Sequence, residues 1–171
     1  MNIYKTTLIN LAHKDPDFYG FKWVLKAITR EMSSFKLDVL KIEEDLIVAT
    51  DGHRLHIYRT QGLFSAGIYQ VLIKTRTKII LEKVFDVNYP EWHQVLIPKG
   101  TIEEMTIGSI DSPGYTEIVR AMNKESTLRF DYFSDLASEM TKVFIPAAPK
   151  EGITFENFDG SMKALIMPMR V

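Results

Sequence analysis

Residues 46–60 read LIVATDGHRLHIYRT: two apolar runs separated by Asp51-Gly52. A D-G pair between such runs marks a tight hairpin, because the turn needs backbone with φ > 0. Upstream, FKLDVLKI is a further extended stretch, closed by a Glu43-Glu44-Asp45 turn. Before it, GFKWVLKAITREM (residues 20–32) carries Val24, Ala27, Ile28 and Met32 at helical spacing, with Asp17 as the start signal. The first ten residues read as a short strand. The first third is therefore β-α-β-β-β.

The last third repeats that order. EEMTIGSI (residues 103–110) reads as a strand, and Ser112-Pro113 opens a helix with Tyr115, Ile118, Val119 and Met122 apolar. Three extended stretches follow, TLRFDYF, TKVFI and ITFENF. A second D-G turn at Asp159-Gly160 leads into SMKALIMPMRV. Repetition of one unit without close identity points to an internal structural duplication. Between the copies, GIYQVLIKTRTKIILEKV fits two paired strands around Lys74-Thr75-Arg76-Thr77, with helix as the alternative for residues 77–84. The fold class expected is α+β: two β-α-β-β-β units with antiparallel sheets and two helices. The units run 1–88 and 89–171. Pro/Gly-rich linkers are absent, so one compact body is expected.

The 171 residues are 46% hydrophobic and 25% charged, an ordinary globular composition. With no cysteine there is no disulfide, thiolate catalysis or zinc ribbon. No apolar run reaches the roughly 20 residues of a membrane span. Asn10, His13 and Lys14 interrupt any signal-peptide core, so a cytoplasmic location is expected. The formal charge of −1 argues against a protein that coats nucleic acid, but a local patch can act at near-zero net charge.

Catalysis has no positive sign. The histidines 13, 53, 56 and 93 read as surface or turn residues. His53 and His56 on a strand would point to opposite faces, which disfavours a shared metal. Phosphate-binding and nucleophile-elbow motifs are absent. No enzyme activity, cofactor or metal site is expected. Lys22, Lys26 and Arg30 fall on one helical face at i, i+4 and i+8, a stripe able to track phosphates. Lys74, Arg76 and Lys78 form a second cluster. Read alone, both are solvated faces. Three stretches exceed what composition requires: ATDGHRLHIY (49–58), YPEWHQVLIP (89–98) and LIMPMRV (165–171). Pro168 removes a ladder donor, so the terminal strand should lie at an edge or stop there.

These three stretches, in this order, resemble bacterial sliding clamps, the β subunit of DNA polymerase III. EEMTIGSI and the GYTEIVRAM helix also resemble that family. Its chain has three domains of two β-α-β-β-β units each. This sequence resembles half of the middle domain, the linker and half of the last domain. In the family these segments converge on a hydrophobic pocket for linear peptides. Carried over residue by residue, the resemblance implies one wall from Thr50, Gly52, His53, Arg54 and Leu55. Pro90 and Val95 would supply the linker side, with Gln94 where Arg is frequent. Leu165, Met167, Pro168, Met169, Arg170 and Val171 would form the other wall.

The resemblance also implies that Lys22, Lys26 and Arg30 face duplex DNA without sequence preference. The function expected is a clamp-like processivity factor or adaptor. Its partners would be a polymerase, clamp loader or repair proteins, met through short peptides. Duplex DNA would be encircled if copies close into a homo-oligomeric ring. The alternative is a monomeric peptide-binding module or decoy that does not enclose DNA. No membrane partner is expected.

Overall fold

The computed structural model describes residues 7–28, 38–122 and 125–170. Arg30, Met32 and Val171 lie outside them, as does much of the first predicted strand. The chain forms two compact units, residues 1–51 with 57–90 and residues 52–56 with 91–171.

The first unit holds β1 (Leu8–Ala12), α1 (Phe18–Val24), β2 (Val39–Glu43), β3 (Leu46–Thr50), β5 (Gly67–Lys74) and β6 (Lys78–Val84). β4 (Arg54–Arg59) begins in the second unit and ends in the first. The first unit's strands run in the order β1-β6-β5-β2-β3, and every neighbouring pair is antiparallel. α1 packs on β3 and β6. Phe18, Phe21, Leu40, Ile42, Ile47, Tyr69, Ile79 and Leu81 are fully enclosed. The β5–β6 hairpin turns at the expected place, where Thr75 N donates to Lys78 O (2.8 Å). Between Val71 and Ile73 its register slips by one residue, a β-bulge that leaves Leu72 as the extra residue.

The predicted helix over 20–32 is corrected. α1 begins at Phe18, tightens into a 3-10 turn at Leu25–Ala27, and Ile28 is already extended. Seven of its residues between 18 and 27 are buried, so it is enclosed nearly all round and has no wide polar face. Its start is fixed by buried Asp17, whose carboxylate accepts from Tyr58 Oη (2.9 Å), Gln61 N (2.7 Å) and Gly62 N (2.8 Å). Tyr58 in turn crosses Gly20: a Cβ there would sit 2.2 Å from the ring.

The second unit holds β7 (Ile102–Thr106), α2 (Ser112–Ala121), β8 (Ser126–Thr127), α3 (Phe130–Ser134), β9 (Lys142–Pro146), β10 (Ile153–Glu156), β11 (Met162–Ile166) and β12 (Met169–Arg170). Its main strands run antiparallel as β11-β10-β9-β7. Asp111 caps α2, accepting from Gly114 N (3.1 Å). A Cβ at Gly114 would lie 1.9 Å from Ser109 O, which restricts that position to glycine.

Two expectations change here. TLRFDYF is not a strand: only Ser126–Thr127 is extended, and α3 follows. The described residues thus include three α-helices rather than two. Leu128, Tyr132, Phe133 and Leu136 are buried at helical spacing, and Phe133 packs on Phe155 at 6.0 Å between ring centroids. The terminal strand does break at Pro168: β11 ends at Ile166, and β12 pairs instead with β8. Both D-G turns carry glycine in the left-handed region, Gly52 at φ 87° and Gly160 at φ 73°.

Candidate functional site

The linker stretch supplies one wall of a cavity in the second unit. Trp92–Leu96 forms a 3-10 turn anchored by buried Trp92, whose ring stacks on His93 at 3.7 Å. That anchor turns Val95 and Ile97 outward, 51% and 68% exposed. Phe144 and Pro146 of β9, Ile102 of β7 and Met167 face them across a cavity of about 490 Å³. The floor and rim carry Thr154, Glu151, Glu156, Lys150 and Lys163. On the rim Glu156 pairs with Lys163 at 2.6 Å, and the Glu151 carboxylate accepts from the backbone N of Lys99 at 3.3 Å. The result is an apolar trough with a charged rim, suited to short apolar side chains.

The sequence-assigned pocket residues divide. Val95 and Met167 line this cavity together, with Gln94 beside them. His53 is exposed, and its carbonyl accepts from Met167 N at 2.8 Å, tying the DGHRL turn to the terminal segment. Leu165 is 3% exposed and lies behind the wall at Gly152, where a Cβ would meet its side chain at 2.4 Å. Leu55 is buried, and Thr50 is buried at the end of β3. Pro90, half-buried, closes the first unit.

Arg54 is turned to other work. Its guanidinium lies 2.6 Å from Asp135 and 4.4 Å from the ring centroid of Tyr132, and the residue is 9% exposed. Pro168 lines a separate small recess with Met122 and Ser126. Met169 and Arg170 pair with Thr127 and Ser126. The cavity residues missed by sequence reasoning include Ile97, Ile102 and Phe144. A signal existed for Ile97, since VLIP is an apolar run inside a polar linker. None existed for Tyr132 and Asp135, because nothing local links them to Arg54.

His56 corrects the reading of the histidines, being fully buried in β4, whereas His13, His53 and His93 are exposed. Tyr89 of the YPEW stretch donates its hydroxyl to Val48 O (3.1 Å). Burial, reinforced by the negative charge of Glu43, pushes that phenol well above the ordinary tyrosine value. On α1, Lys22 is half-exposed with Nζ 5.8 Å from the Phe18 ring, and Lys26 in the following turn is exposed. Both point outward, next to exposed Tyr19.

No family model matches the sequence, and no curated protein matches it. Solved structures do. A DNA polymerase III subunit β from Borrelia burgdorferi aligns with 99% of this chain and 65% of its own, at TM-score 0.58 and 14% identity. The Caulobacter crescentus β sliding clamp aligns with 100% and 67%, at TM-score 0.59 and 14% identity. The Streptococcus pneumoniae β chain gives 100% and 67%, at TM-score 0.58 and 12% identity. The chain thus spans about two thirds of the length of the clamps it matches. With antiparallel sheets, short helices and near-complete alignment, this chain has the fold of the bacterial sliding clamp, the β subunit of DNA polymerase III.

Proposed function

We propose that the protein is a clamp-like DNA-replication factor whose second unit captures short linear peptides of polymerase, clamp-loader or repair proteins. The observation that carries this reading is the meeting of Val95 and Met167 in one cavity. They come from two stretches far apart in sequence, each of which resembles a pocket segment of the clamps. An extended peptide would lay apolar side chains against Val95, Phe144 and Met167, with Gln94 and the neighbouring backbone fixing its direction. Gly52, His53 and the bond from Met167 N to His53 O hold the terminal segment in place. Leu165 supports the wall from behind. Lys22 and Lys26 are the cations assigned to DNA from the first helix. Their contacts with duplex DNA would be independent of sequence and weakened by salt.

The test is fluorescence anisotropy with a labelled clamp-binding peptide from a bacterial replicative polymerase. The parent protein binds it, and Met167→Glu together with Val95→Glu weakens binding by at least about tenfold, the scale of losing buried apolar contact. Circular dichroism confirms that the variant is folded. A folded parent with no affinity for the peptide, or a variant with undiminished affinity, overturns the assignment.

A further inference from the structure

The first unit brings two cation clusters that are distant in sequence to one end of its sheet. Ala12 pairs with Lys78, and His13 N donates to Thr77 O at 2.9 Å, so the His13-Lys14 turn lies against the β5–β6 hairpin tip. On the other side, Lys74 Nζ reaches Leu25 O at 3.4 Å, which sets the tip beside exposed Lys26. Lys14, Lys26, Lys74, Arg76 and Lys78 are all exposed.

Among the described residues, two acids of this end are already engaged. Asp17 is buried and accepts three hydrogen bonds of its own, and Asp15 accepts from Ala12 N at 2.5 Å. Among the described residues, Lys14, Arg76 and Lys78 have no carboxylate within ion-pair distance. Among the described residues named here, five cations against two carboxylates give a formal +3. The whole chain carries −1, so the remainder carries −4. A near-neutral total therefore conceals a strongly divided charge distribution.

We infer that this end is a second binding site, for the sugar–phosphate backbone of nucleic acid, centred on Lys14, Arg76 and Lys78. The inference rests on the nucleic-acid half of the function proposed above but assigns contacts outside α1. Rigidity favours it. The tip is closed by Thr75, whose Oγ1 accepts from Lys78 N at 3.0 Å and whose backbone N donates to Lys78 O. Its cations are therefore presented without ordering a loose loop. The tip residues Thr75, Arg76 and Thr77 carry no apolar side chain, while Leu72 and Ile73 behind them are exposed, so the vesicle arm of the experiment separates a membrane surface from nucleic acid.

The experiment measures anisotropy of a labelled duplex DNA of arbitrary sequence across a salt series. The comparison is between the parent, Arg76→Glu/Lys78→Glu, and Lys22→Glu. Peptide affinity is read in parallel. The hairpin variant is expected to lose at least about tenfold in DNA affinity at low salt. Its slope of log affinity against log salt should fall by about 2, one unit per lost phosphate contact. Its peptide affinity should be unchanged. A hairpin variant that binds DNA like the parent overturns the inference, and if Lys22→Glu alone is weakened, the function proposed from the helix stands. Loss of peptide binding with parental DNA binding is the reverse failure. Parent protein that binds anionic phosphatidylserine vesicles but not duplex DNA also overturns it.

Discussion

The two units start from the same β-α-β-β-β order and solve different problems. In the first, the helix is clasped by its own sheet, and a single buried carboxylate, Asp17, ties helix start, strand and loop together. In the second, β8 and α3 are added between the helix and the last strands. That addition engages two stretches flanking the cavity: α3 holds Arg54, and β8 pairs with Met169–Arg170. One unit concentrates its polar energy at a point inside. The other spreads it over surface pairs around an open trough. The first arrangement suits a rigid platform, and the second leaves an open surface.

The sharpest way to break this contrast is at Asp17. Asp17→Ala strands a buried phenol and two backbone donors, so it should cost about 3 kcal/mol in urea unfolding. A cost below about 1 kcal/mol, the worth of one ordinary hydrogen bond, would show that the clasp is not what fixes α1. Next is Arg54→Ala, expected to cost about 2 kcal/mol through lost packing on Tyr132 and the lost pair with Asp135. The cost is smaller because Asp135 is 37% exposed and its charge is not trapped. Peptide affinity should be unchanged, since the guanidinium faces α3. A large loss of peptide affinity would return Arg54 to the cavity.

The smallest effect at neutral pH appears only at the extremes. In the second unit Asp111, Asp131 and Asp159 are held below the ordinary aspartate value, chiefly by hydrogen bonds from Ser109, Arg129 and Ser161. A depressed carboxylate contributes stability above the unfolded value of 3.8 and loses it as pH falls through the folded value. In the first unit Tyr69 and Tyr89 are held above the ordinary 10.0, first by burial. Their contribution is complete below 10.0 and is lost as pH rises towards the folded value. Each unit contains one of the two tryptophans, Trp23 and Trp92. Fluorescence of Trp92→Phe and Trp23→Phe variants should show the second unit yielding first in acid and the first unit in alkali. The opposite order would mean that these groups do not set the pH limits.

Both D-G turns and the break at Pro168 were legible because each follows from local backbone chemistry. TLRFDYF was misread because alternating apolar residues suggested a strand. The burial of Leu128, Tyr132, Phe133 and Leu136, at steps of four, one and three, is instead a helical signature visible only when the window extends to residue 136. For α1 the apolar spacing of Val24, Ala27 and Ile28 placed the helix too late, because Phe18 and Phe21 carry its core contacts. Val95 and Met167, grouped by motif resemblance, line one cavity. The diversion of Arg54 was not legible, because Asp135 lies 81 residues away, at the end of an added helix.

The bulge at Leu72 has a consequence for the hairpin that charge alone does not express. An extra residue in β5 coils the ribbon and sets the direction in which its last turn leans. Deleting Leu72 would restore even pairing between Val71 and Ile73 and unwind that lean, while every lysine and arginine stayed in the chain. Such a shortened ribbon would carry the same ions on a different compass bearing, which separates aim from charge.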